Sequence, residues 1–137
     1  MINVQQLLDA KPRQLITITQ NQTVQDALEL MAKHRIISLP VVDGSKLIGI
    51  ISDRDYIYKA AIKRIAPWDI LVREIMTDKV ISVISTDSIQ TCMDYMCNNS
   101  IRHLPVMRGL ALIGLVSITD VLSALRQPES LKLNVAA

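Results

Sequence analysis

Gly49-Ile50-Ile51-Ser52-Asp53-Arg54-Asp55 returns sixty-five residues later as Gly114-Leu115-Val116-Ser117-Ile118-Thr119-Asp120. Each copy reads glycine, two aliphatic residues, serine, two variable residues, aspartate. Each stands where an apolar run stops and a helical periodicity starts, so the spacing predicts a strand that hands over to a helix capped by serine. The aspartate one turn in has two chemical readings. It closes a capping box and favours the positive helix end, or it accepts both hydrogens of a vicinal diol such as a ribose, beside a helix terminus whose N–H groups suit phosphate. Thr23-Val24-Gln25-Asp26 has the same serine/threonine–acid spacing with no glycine before it. Spacing alone therefore does not separate the two readings. The glycine, which admits close approach to the backbone, and the preceding strand are both present twice.

Working outward from these stretches, the offset of sixty-five holds without a gap. Thirteen of the forty-three pairs from Leu15 to Ile57 are identical, among them Ile16/Ile81, Met31/Met96, Leu39-Pro40-Val41/Leu104-Pro105-Val106 and Gly44/Gly109. This is a tandem duplication. Within a repeat, Leu15 to Thr19 alternates and reads as a strand. Thr23 caps a helix whose face is Val24, Ala27, Leu28 and Met31, ending near His34. Leu39 to Val42 is a short strand with proline near its start, Asp43-Gly44 a hairpin turn, and Lys46 to Ile51 the return strand. Ser52 caps a helix expected to run to about Arg64. The order strand–helix–strand–strand–helix leaves apolar faces that two repeats packed together would bury, which predicts one pseudo-symmetric α/β domain. The boundaries are 1–14 for an N-terminal helix and lead-in, 15–65 for the first repeat, 66–79 for a connector, 80–126 for the second repeat and 127–137 for a tail.

Half of the 137 residues are apolar, yet there is no Phe, one Trp and three Tyr. The core must be built from Ile, Leu, Val and Met. Fifteen basic residues against thirteen acidic ones give a net charge of +2, without a basic block. That charge pattern argues against a nucleic-acid partner. No apolar run approaches the length of a membrane span, and the first residues lack the pattern of a secretory signal, so a cytoplasmic location and no membrane partner are expected. Cys92 and Cys97 fall inside a helical pattern and read as small apolar residues. The only histidines, His34 and His103, lie far apart in sequence, and no metal cluster, nucleophile–base set or phosphate-binding P-loop is present. The chain is expected not to be an enzyme.

The leucine-proline-valine strands, the turn glycines and the two glycine–aliphatic–aliphatic–serine–x–x–aspartate stretches, duplicated in register, resemble a tandem of CBS domains, the module named after cystathionine β-synthase. Val72-Arg73-Glu74-Ile75-Met76-Thr77 also looks like a segment that opens such a repeat. The resemblance spans roughly Asp9 to Arg126, and the chain resembles the stand-alone bacterial CBS-pair proteins. It implies an α/β (α+β) fold: two pseudo-symmetric β-α-β-β-α repeats packed through their sheets. It further implies a regulatory module that binds an adenosyl ligand in clefts between the repeats. The ligands it implies are AMP, ADP or ATP, with NAD(H) or S-adenosylmethionine as further candidates. A flat homodimer acting as an energy sensor is implied as well.

The same resemblance assigns site residues. Ser52, Asp55, Ser117 and Asp120, with Gly49 and Gly114, would hold the ribose and lie near phosphate. Arg102 and His103, ahead of the second leucine-proline strand, would face phosphates, although the order in well-known nucleotide sensors is histidine then arginine. Strand alternation sends the two to opposite faces. Their first-repeat equivalents, Ile37 and Ser38, carry no charge, so the two sites should differ. Arg54, whose counterpart is Thr119, is a candidate to compensate. Ile16-Thr17 and Ile81-Ser82 are candidates for an apolar adenine slot. The uncharged first repeat leaves an alternative open: a structural or protein-interaction dimer module with empty or vestigial clefts.

Overall fold

The computed structural model describes residues 2–126; the reading of 127–137 as a tail lies outside them. In chain order the elements are helix α1 (Val4–Ala10), strand β1 (Ile18–Thr19), α2 (Val24–His34), β2 (Ser38–Asp43), β3 (Lys46–Ser52) and α3 (Asp53–Tyr56). Then come α4 (Val72–Ile75), β4 (Val83–Ile84), α5 (Ile89–Asn99), β5 (His103–Arg108), β6 (Ala111–Ser117) and α6 (Ile118–Arg126). They form two compact units. The mid-chain unit is residues 16–80. The terminal unit joins residues 2–15 to 81–126.

Each unit holds a three-stranded sheet, ordered β1-β2-β3 in one and β4-β5-β6 in the other. The outer short strand runs parallel to the middle strand, and the hairpin partner runs antiparallel. The hairpins turn at Gly44 and Gly109, whose φ angles of +61° and +58° suit glycine. The expected first strand of five residues shortens to Ile18–Thr19, because only these two find partners, Val41 and Val42. Pro40 sits inside the middle strand without leaving a broken ladder. Its opposite residue, Ile50, turns both its N–H and its C=O outward to Thr77. Pro40 is thus in a non-hydrogen-bonded pair with β3, and its missing N–H faces the side where the β1 ladder begins only at Val41.

The two cores are aliphatic, as the absence of Phe demands. Ile18, Val24, Ala27, Met31, Leu39, Val41 and Ile51 build one, together with Ile70, Val72 and Ile75. The other combines Val83, Ile89, Cys92, Met96, Leu104, Val106, Val116, Val121 and Ala124 with Ile2, Val4 and Leu7. The leader helices therefore change places. α1 precedes the first repeat but completes the unit of the second, and α4 precedes the second repeat but completes the unit of the first. The bonds at the N-termini of the two leaders correspond. Val4 N donates to Asp87 O and Gln5 N to Ser85 O; Val72 N donates to Gln22 O and Arg73 N to Gln20 O, all at 2.9–3.0 Å.

The helix after Ser52 is not the regular run expected to Arg64. After α3 it widens into a π turn over Ile57–Ala61, marked by Ile62 N donating to Ile57 O at 3.0 Å. Arg64, at φ 59°, follows it. The wide turn keeps Ala60 fully buried while Ile57, Tyr58 and Ile62 remain exposed. Of the cysteines, Cys92 is buried as expected, its thiol pushed up to about 11 by burial and by the nearby Asp87 charge; Cys97, expected to be buried as well, is exposed, because it lies outside the helix face formed by Ile89, Cys92 and Met96. No helix among the described residues is long and apolar enough to cross a membrane.

Candidate functional site

In each unit the end of the hairpin strand, the start of the next helix and the start of the middle strand form one corner. Ser38 lies opposite Ser52, and His103 opposite Ser117. The chain is tied across the corner by Asp53 N donating to Ile37 O at 3.0 Å, and by Ile118 N donating to Arg102 O at 2.8 Å. Ile16-Thr17 and Ile81-Ser82 lead into the parallel strands β1 and β4, so they lie at this same end of each sheet. The structure thus gathers Ile16, Thr17, Ile37, Ser38, Ser52 and Asp55 at one corner, and Ile81, Ser82, Arg102, His103, Ser117 and Asp120 at its counterpart.

The helix starts are capped as their spacing demands. Ser52 N donates to Asp55 Oδ2 at 2.9 Å, and Ser117 N to Asp120 Oδ2 at 3.1 Å. Asp120 N returns a bond to Ser117 Oγ at 3.2 Å. Thr23 and Asp26 make the same reciprocal pair at the start of α2. The burial differs. Asp26 is only half-buried, whereas Asp55 and Asp120 are 7% and 6% exposed. With Ser38, 1% exposed, they are the buried polar side chains of the described residues, and all three belong to the corners.

A buried carboxylate needs a cation or several donors, and each unit supplies them differently. Asp55 Oδ1 accepts from Lys59 Nζ at 2.8 Å, one turn on, and from Thr77 Oγ1 at 3.2 Å; the same Lys59 Nζ donates to Ile75 O at 2.9 Å. Asp120 Oδ1 accepts from Arg13 at 2.5 Å. Burial alone would raise the Asp120 pKa. The Ser117 N–H and hydroxyl, together with the hydrogen bond and charge of Arg13, outweigh it and hold the carboxyl below the ordinary range. Ser38 is satisfied by nothing: its buried Oγ has no hydrogen-bond partner. Arg54 and Thr119 are exposed on the first helical turns, with Thr119 Oγ1 at 2.8 Å from Ser117 Oγ. Arg102 and His103 are half-buried.

Gly49 and Gly114 are buried and allow close approach, but what approaches is the protein's own chain. A Cβ on Gly49 would lie 2.7 Å from Met76 Sδ and 3.0 Å from Thr77 O; one on Gly114 would lie 2.9 Å from Leu8 Cδ2. The glycines seat the exchanged leader segments. Arg13, Lys59 and Thr77, which hold the two carboxylates, were missed by sequence reasoning. Only Lys59 carried a usable signal, its i+4 spacing from Asp55.

The sequence profile of the CBS domain matches residues 11–61 and again residues 72–127. The chain belongs to the CBS-domain family. A protein with CBS domains from Burkholderia ambifaria has the same fold, with a TM-score of 0.87 and 42% identity over 90% of this chain and 93% of that one. The CBS domain pair of protein MJ0100, solved in complex with 5-methylthioadenosine and S-adenosyl-L-methionine, superposes with a TM-score of 0.80 at 28% identity, covering 94% of this chain and 98% of that one. The mitochondrial CBS domain-containing protein CBSX3 of Arabidopsis thaliana is 37% identical over 111 residues, 77% of this chain; the chain spans about half, 54%, of that relative's length. CBS pairs are generally regulatory ligand-binding modules, and this chain holds two CBS repeats.

Proposed function

We propose that this CBS pair is a regulatory sensor of an adenosyl ligand, held at the corners by Ser52 and Asp55 and by Ser117 and Asp120. The observation that carries this reading is where the buried polarity falls. Asp55, Asp120 and Ser38 are buried at the corners, while the capping acid Asp26, with the same spacing, is not. Capping needs no buried carboxylate. A diol that donates to both carboxylate oxygens does benefit from one, because a low local dielectric strengthens those bonds. The unpartnered Ser38 hydroxyl is a further group for a ligand to satisfy, and Arg102 and His103 supply positive or hydrogen-bonding character in the terminal unit only. The solved complex of MJ0100 with adenosyl compounds supports the ligand class; AMP, ADP and ATP lead the candidates, with NAD(H) and S-adenosylmethionine after them.

Thermal unfolding in the presence of AMP, ADP, ATP, NAD⁺, NADH and S-adenosylmethionine, with and without Mg²⁺, tests it. A ligand at a hundred times its dissociation constant adds about 2.7 kcal/mol, and the Ser38→Ala and Asp55→Asn chains should lose part of that gain. Silence across the panel would turn the assignment to an interaction module. That second reading has its own observation. Ile57, Tyr58, Ile62 and Trp68 of the mid-chain unit are 46%, 65%, 70% and 66% exposed, a surface suited to a homodimer. Sedimentation that finds a dimer with no ligand response would favour it.

A further inference from the structure

We infer that Arg13 is an internal competitor for the terminal unit's ligand, occupying the carboxylate oxygen that a diol must reach, so that binding there releases the strap of residues 11–15. This rests on the assignment of Asp120 as diol acceptor. Asp120 Oδ2 already accepts from Ser117 N at 3.1 Å, and Oδ1 from Arg13 at 2.5 Å. A vicinal diol donates one hydrogen to each oxygen, so it meets the Ser117 N–H at Oδ2 and the guanidinium at Oδ1; the backbone N–H is fixed and leaves a lone pair free, and the guanidinium is the one of the two that can leave. The two groups differ in how easily they move. The Asp120 side chain is 8% exposed and fixed at the helix start, while that of Arg13 is 56% exposed. Displaced from the carboxylate, the arginine is rehydrated, while the two diol hydroxyls and Ser117 N supply the several donors that the buried Asp120 needs. Arg13 also stands two residues before Leu15, where the chain leaves this unit for the mid-chain unit. The ion pair is thus an anchor of that strap, and the diol competes for it.

The mid-chain unit is built otherwise. Its cation, Lys59, lies on the helix that carries Asp55 and is held a second time by Ile75 O. Displacing Lys59 leaves the path of the chain unchanged. Only the terminal unit couples its carboxylate to a charged residue of a strap.

Adenosine is the probe that tests this, since it offers the diol without a phosphate that would recapture the freed guanidinium. The full chain, Arg13→Ala and Arg13→Lys are titrated with adenosine by calorimetry, and tryptic cleavage of the Arg13–Gln14 bond in the unaltered chain is followed with and without it. Arg13→Ala should bind roughly two- to tenfold tighter at one site, Arg13→Lys should return toward the unaltered chain, and adenosine should speed the cleavage. Adenosine binding that is unchanged or weaker in Arg13→Ala, or cleavage slowed by adenosine, overturns the competition while leaving the ligand assignment in place. No adenosine binding by any of the three chains removes both.

Discussion

Both units bury an aspartate at the same step of the same motif, and they neutralise it from opposite directions. In the mid-chain unit the cation comes from the next helical turn, and Thr77, just after α4, adds only a neutral hydroxyl. In the terminal unit the cation comes from the strap itself. The duplicated residues, glycine, serine and aspartate, set backbone geometry and are the same in both copies. The residues that decide what the carboxylate experiences, Lys59, Thr77 and Arg13, are not shared. A duplicated corner can thus keep its shape while its two copies acquire different affinities and different mechanical connections.

The comparison is most exposed to a chain lacking residues 1–10. Ile2, Val4 and Leu7 leave the terminal core, a loss of about 4–9 kcal/mol at roughly 1.5–3 kcal/mol per side chain, comparable with the whole stability of a small domain. Hydrogen exchange should show protection lost across 81–126 and kept across 16–80. Uniform loss, or none, would break the assignment of the leader to one unit.

A smaller difference separates the glycines. Gly49→Ala drives a methyl to 3.0 Å from Thr77 O, a backbone atom held by Ile50 N at 2.9 Å, and should cost about 1–3 kcal/mol. Gly114→Ala meets only the end of the Leu8 side chain, which can turn aside, and should cost under about 1 kcal/mol. Denaturant midpoints of the two variants compare them directly; equal costs would mean that the leaders are seated alike.

The smallest effect is in acid. The folded Asp120 carboxyl is held below its ordinary range by Ser117 and Arg13 against the effect of burial. Its contribution to stability is therefore complete above the unfolded value of about 3.9 and disappears as pH falls through the folded value. The stability gap between the unaltered chain and Asp120→Asn should narrow from pH 7 to about pH 3. A constant gap would show that the carboxylate is not specially held.

Much of this was readable before any coordinates. The repeat register, the caps at Thr23, Ser52 and Ser117, the glycine hairpins and the aliphatic cores follow from periodicity and turn chemistry, because those are local. The exchange of leaders was not. α1 spans seven residues and α4 four; the apolar run Val4, Leu7, Leu8 marks a short amphipathic helix but does not say which unit it covers. Val4-Leu7-Leu8 does match Val72-Ile75-Met76, but sixty-eight residues apart instead of sixty-five, so the register that revealed the duplication conceals this pair. Arg13 stands in the aperiodic stretch Lys11-Pro12-Arg13-Gln14, and its partner is 107 positions away. Pairing at that distance leaves no mark on spacing. The π turn at Ile57–Ala61 was equally hidden, since residues 53–64 contain no breaker.

The exchanged leaders also give the molecule an order of assembly. Residues 16–80 are contiguous, so the mid-chain unit has all its parts once residue 80 has been made. Helix α1 is made before the core that receives it, so Ile2, Val4 and Leu7 have no partners until Val83 to Ala124 exist. Its docking closes a loop over the whole first repeat, a closure whose entropic cost grows only slowly with length but which comes late. Residues 2–10 are therefore made before the mid-chain unit and docked after it, and their apolar side chains need shielding in the interval.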